Sequence, residues 1–221
     1  MRLRYKAWAI PELKKNPRVI FDPLEPAVDW TNIFGDDRPL HLEIGCGWGG
    51  FLLDSAQQNP DINYIALEKE AGVLVYAVRK FDEAGADNLF SIRADADRLE
   101  EFFAEDSIDR IYLNFSNPWP ARRHHRRRLT HPLFLEKYKR ILKKEGDLRL
   151  KTDNLPFFED SLKYLTRSGF RILEIDRDLP ADRPGNIVTD YESKWRAMGI
   201  KINYLRAVID ADGSNIAVRE K

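Results

Sequence analysis

At 221 residues and zero formal charge, 36 basic against 36 acidic, the chain is long enough for one sizeable α/β core and carries no excess of one sign. It is 43% hydrophobic and 33% charged, with no apolar run of membrane-spanning length, and its first residues, MRLRYKAW, lack a signal peptide's apolar stretch. The single cysteine, Cys46, excludes an intrachain disulfide and a multi-cysteine zinc site, so a cytosolic (cytoplasmic) location is expected.

Residues 1–35 are rich in proline and poor in periodicity, which predicts an N-terminal arm or flap ahead of one domain spanning 36–221. The arm begins basic: Arg2, Arg4, Lys6, Lys14, Lys15 and Arg18 stand against Glu12 alone. PLHLEIG then reads as a first strand and NYIALE as a second, with a helix between them from the glycines to Asn59-Pro60. Leu74, Ala77, Val78 and Phe81 recur at helical spacing and form one apolar face. NLFSIRAD is a third strand and DRIYLNF a fourth, and a helix follows from Pro132 to Leu142. GDLRLKTD is the fifth strand, and the helical PFFEDSLKYLTRSGF should stop at Gly169. FRILEID and INYLRAVI are β-like and flank a short helical pattern from Thr189 to Met198. Alternating strands and helices predict an α/β fold, a mostly parallel sheet closed by a late antiparallel strand. Strand order is not legible.

The first strand ends in LEIGCGWGG, where Gly45, Gly47 and Gly50 satisfy G-x-G-x-x-G. Such glycines turn the chain sharply and bring backbone N–H groups to a ligand at the next helix. Glu68, ending the second strand, is placed to accept from both hydroxyls of a ribose. A dinucleotide brings an anionic pyrophosphate, whereas S-adenosylmethionine brings a cationic tail. Glu43, two residues before the first glycine, favours the cation. Asp95, or Asp97 in its place, is expected at the adenine. Cys46 has no partner base in sequence and reads as packing rather than as a nucleophile, and Trp48 shelves the ligand or covers the helix start.

After the fourth strand comes Asn117 in a Pro118-Trp119-Pro120 turn, then Arg122, Arg123, Arg126, Arg127 and Arg128 with His124 and His125 among them. Carboxyl ends of strands form the ligand crevice of open α/β sheets, so the turn is expected at the cofactor's reactive end. Arginines at this density are expected to hold phosphate oxygens, with lysines of the arm beside them. The histidines read as further phosphate or turn contacts, and no metal site is expected.

EIGCGWGGF (43–51), Glu68, RADAD (93–97), YLNFSNPWP…RHHRRRLTH (112–131), LKTDN (150–154) and TDYESKW (189–195) together resemble the bacterial tRNA (guanine-N7-)-methyltransferases. The resemblance implies a Rossmann-like class I S-adenosylmethionine-dependent methyltransferase sandwich. It also implies methylation of a guanine N7 in the tRNA variable loop, at position 46, to 7-methylguanosine. By resemblance Glu43, Gly45, Gly47, Glu68, Asp95 and Asn117 serve S-adenosylmethionine. Asp153, Thr189 and Glu192 line the substrate pocket, and Asn117, Asp153 and Glu192 are the catalytic candidates. Two positions depart from the family pattern: Asn117 stands where an aspartate regarded as catalytic is usual, and Ala121 where a lysine is usual. The alternative is therefore a protein that binds tRNA and S-adenosylmethionine with little catalysis. Related enzymes include monomers and homodimers, and the sequence does not choose between them.

Overall fold

The computed structural model describes residues 6–22 and 28–210, which fall into two compact units dividing between Ala104 and Glu105. In the first unit, β2 (Leu40–Ile44), β3 (Asn63–Leu67) and β4 (Leu89–Ile92) pair in parallel in the order β4-β3-β2. Every residue of β2 and β3 is buried, the polar His41, Glu43 and Asn63 included. The helices α3 (Gly50–Gln58) and α4 (Ala71–Glu83) follow β2 and β3. Leu74, Ala77, Val78 and Phe81 are buried on α4, as their spacing predicts.

Within the segment read as an arm, α1 (Ala9–Leu13) packs on α4, and β1 (Val19–Ile20) extends the parallel sheet beside β4. The helix α2 (Trp30–Phe34) buries Trp30, whose Nε1 donates to the carbonyl of Phe102 (3.0 Å) in α5 (Leu99–Phe102). Elements of two to five residues are too short to declare a period. Arg2 and Arg4 lie outside the described residues.

The second unit holds β5 (Ile108–Asn114), α6 (Pro132–Ile141), β6 (Leu142–Thr152), α7 (Leu155–Arg167), β7 (Phe170–Asp176), α8 (Asp190–Ala197) and β8 (Asn203–Ile209). β5 and β6 are parallel, and β8 lies antiparallel to both β6 and β7, giving the expected antiparallel end. Gly169 takes φ 77° and ends α7, also as expected. β6 starts earlier than expected, at Leu142, immediately after α6. Gly146 lies within it, at a position where a Cβ would stand 2.9 Å from the Lys143 carbonyl oxygen.

Alternation along β5 and β6 buries Ile111, Leu113, Leu148 and Leu150 on one face. On the other, Asp147 is buried and takes ion pairs from Arg110 (2.6 Å), Arg149 (3.3 Å) and Arg206 (2.8 Å). Burial pushes that carboxyl up, but the arginines outweigh it and hold Asp147 below the ordinary aspartate value. No helix among the described residues is long and apolar enough to cross a membrane.

Candidate active site

Register puts the carboxyl ends of β2, β3 and β4 side by side, with Ile44 opposite Leu67 and Leu67 opposite Ile92. The glycine loop, Glu68 and Asp95 therefore emerge along one edge of the first unit. Gly45, Gly47 and Gly49 take φ of 80°, 57° and 74°, the left-handed region that glycine enters without a Cβ penalty. A Cβ on Gly45 or Gly47 would meet nothing within 4 Å, whereas one on Gly49 would stand 2.5 Å from Phe81 and 2.7 Å from Ala77. Gly49, the N-cap of α3, thus permits close packing against α4, and Gly50 opens α3.

Glu68 braces this edge. Its carboxylate accepts from the N–H of Gly47 (3.2 Å) and of Glu70 (2.9 Å), joining the loop to the start of α4. Burial raises its pKa above the usual glutamate value, opposed by backbone N–H groups of Glu70, Gly47 and Lys69. Glu43 is buried rather than turned to solvent. Burial first, and then the charges of Glu68 and Glu43, push the Cys46 thiol up, so Cys46 stays protonated and the loop sits in a negative field. Asp95 and Asp97 are both exposed. Asp95 caps the turn Ala96–Arg98 by accepting from the Asp97 N–H (3.2 Å), and it lies 3.7 Å from the Lys69 ammonium. Trp48 is exposed and packs on Tyr76, with ring centroids 5.1 Å apart.

In the second unit, Phe115 and Trp119 carry φ of 50° and 40°, a strained conformation for non-glycine residues. Asn117 Oδ1 accepts from the Trp119 N–H (3.0 Å), closing an Asx turn. Arg122, Arg123, Arg126 and Arg127 are exposed, and Arg127 lies over the Trp119 ring at 5.0 Å. Arg128 departs from the expectation that it holds phosphate, because it is only 3% exposed. Its guanidinium donates to the Pro118 carbonyl (2.7 Å), His125 Nε2 (2.8 Å) and Asp160 (2.7 Å), so it clamps the turn from inside. His125 is a turn contact, and His124 meets the edge of Trp119 at 5.7 Å.

Asp153 follows β6 directly, half-buried, ahead of Asn154, which caps α7. Thr189 caps α8, its Oγ1 accepting from the Glu192 N–H (2.9 Å). Glu192 corrects a second expectation, since its side chain has no exposed surface. It is held by the ammonium of Lys151 (3.0 Å) and by Arg196 (2.9 and 2.6 Å). A carboxylate paired with a buried ammonium and a half-buried guanidinium is spent within the protein, where it pins α8 to β6. Lys151, Asp160 and Tyr191 were not selected from the sequence, although Lys151 stood inside LKTDN and Tyr191 inside TDYESKW.

The family described as "Putative methyltransferase" matches residues 37–205. The tRNA (guanine-N(7)-)-methyltransferase of Desulfitobacterium hafniense (strain Y51) is 44% identical over 216 residues, covering 97% of this chain and 100% of that protein. The tRNA (guanine-N(7)-)-methyltransferase of Geobacillus thermodenitrificans (strain NG80-2) is 46% identical over 204 residues, 91% of this chain and 94% of its own length. The chain belongs to the tRNA (guanine-N7-)-methyltransferase family. A solved 16S rRNA methyltransferase, KamB, superposes with a TM-score of 0.63 at 16% identity, covering 87% of this chain and 98% of that one. That likeness speaks for the fold alone, the Rossmann-like class I methyltransferase fold.

S-adenosylmethionine is the cofactor of this family fold, and the residues present fit it. Open space beside Gly45 and Gly47, a carboxylate at the end of β3 and another after β4 match a nucleoside's hydroxyls and amine. The negative field around Cys46 matches an ammonium and a sulfonium and would oppose a pyrophosphate.

Proposed function

We propose that this enzyme transfers the methyl group of S-adenosyl-L-methionine to N7 of a guanine in tRNA, at position 46 of the variable loop, forming 7-methylguanosine. The observation that carries this reading is the end-to-end match, 44% identity over 97% of the chain, to a protein of that name. Glu43, Gly45, Gly47, Glu68 and Asp95 hold the cofactor, whose sulfonium supplies an electrophilic methyl. Guanine N7 is an unprotonated acceptor, so no general base has to remove a proton from it. The residues have instead to align the base and to accommodate positive charge moving onto the purine. Asp153 supplies the negative charge, and Asn117 supplies a neutral acceptor at the turn. Arg122, Arg123, Arg126 and Arg127 hold tRNA phosphates, and the basic N-terminal segment, 1–35, extends that contact beyond the 36–221 methyltransferase domain. The enzyme acts on tRNA in the cytoplasm.

Labelled methyl transfer to bulk unmodified tRNA, followed by nucleoside analysis, tests the reading, and 7-methylguanosine is the expected product. One observation favours a weaker catalyst: Asn117 occupies an exposed turn position with no carboxylate of its own. Binding of tRNA and cofactor without product, with turnover restored by Asn117→Asp, would establish that second reading.

A further inference from the structure

The segment Thr189–Glu192 presents a different side chain from those its sequence advertises. Thr189 is spent on capping α8, and Glu192 is enclosed by Lys151 and Arg196. Tyr191, between them, is 44% exposed. Its ring is not loose: Phe115 lies 4.9 Å away at 48°, and Trp195 lies 5.5 Å away at 68°. Phe115 and Trp195 rest in turn on the buried cluster of Leu179, Ile202 and Tyr204. Phe115 is fixed further by its N–H, which donates to the Lys151 carbonyl (2.9 Å). Tyr191 is therefore an exposed aromatic face on a rigid aromatic base.

Asp153 stands close enough that its charge, after burial, helps raise the Tyr191 hydroxyl above its ordinary value, so the ring is a neutral phenol at physiological pH. All of these groups gather where β5 and β6 end, since Asn114 is opposite Lys151 and Thr152 is opposite Asn203 at the start of β8. A flat ring beside a carboxylate is a complement to guanine. The ring stacks on the base, and the carboxylate accepts from N1–H and the exocyclic amine. Adenine offers an acceptor at N1 and would meet the carboxylate with a lone pair.

We propose that Tyr191 is the stacking wall for the target guanine and that, with Asp153, it sets the choice of base. This inference rests on the tRNA guanine reading above and names the part of the site that reads the base. The test compares binding of two unmodified tRNAs, one with guanine at the target position and one abasic there, to the parent, Tyr191→Ala, Tyr191→Leu and Tyr191→Phe proteins. Base–aromatic stacking of ordinary strength predicts that Tyr191→Ala weakens the guanine tRNA about tenfold and leaves the abasic tRNA unchanged. Tyr191→Leu, which keeps bulk without a π face, should follow Ala, and Tyr191→Phe should recover most of the loss. Equal weakening of both tRNAs, or none of either, would overturn the proposal, as would full recovery by Leu. S-adenosylmethionine affinity should be unchanged in all four proteins. Because the readout is binding, a parent protein that makes no 7-methylguanosine would defeat the proposed function without deciding the role of Tyr191.

Discussion

Residues 45–49, after β2, and residues 115–119, after β5, both carry the chain through positive φ at the end of a strand. The first loop does so on glycines, which need no further support for that backbone. The second does so on Phe115 and Trp119, at a cost on the order of 1–2 kcal/mol each. Asn117 offsets that cost from within the turn, and Arg128 from behind it. A turn built on glycines is held by its backbone, whereas a turn built on large residues depends on distant partners. Chemistry needing an open floor suits the first, and chemistry needing fixed side chains suits the second.

The sharpest way to break this contrast is to remove the clamp. Arg128→Ala should destabilise the protein by about 3 kcal/mol, the lower end for breaking a buried ion pair because Asp160 is partly exposed, and abolish methyl transfer. Thermal or urea unfolding together with the tRNA assay reads both effects. On the glycine side, Gly49→Ala should cost about 2 kcal/mol through the clash with Phe81, and Gly47→Ala about 1 kcal/mol through backbone strain alone. Equal losses at the two positions would show that the packing role assigned to Gly49 is mistaken.

Asn117→Asp keeps the acceptor for the Trp119 N–H and adds a charge, and it should raise kcat by about tenfold. An unchanged kcat would mean that Asp153 already suffices. Replacing any one of Arg122, Arg123, Arg126 or Arg127 with Ala should flatten the salt dependence of tRNA affinity by about one unit of slope and leave stability unchanged.

The smallest effect concerns pH. Burial raises the Glu68 carboxyl, so its folded-state value lies above the unfolded one. Its protonation therefore favours the folded state as pH falls and removes the anion that accepts from ribose hydroxyls. Cofactor affinity should weaken as pH drops through a value above the ordinary glutamate range, read by calorimetric titration. Glu68→Gln should lower affinity and remove that dependence.

Legibility followed distance along the chain. The parallel strands, the amphipathic face of α4 and the stop at Gly169 were determined by the sequence itself, because periodicity and helix termination act over three or four neighbouring residues. The glycine loop and its partner Glu68 were legible for a related reason: one βαβ unit fixes their separation. Arg128 and Glu192 could not be sorted from their neighbours in that way. Arg128 looks like the other arginines until Asp160, 32 positions away, is brought beneath it. Glu192 looks like an available carboxylate until Lys151, 41 positions away, is buried against it. Whether a charge is presented or enclosed is decided by packing between strands and helices remote in sequence, and the same packing leaves the Tyr191 ring exposed on α8.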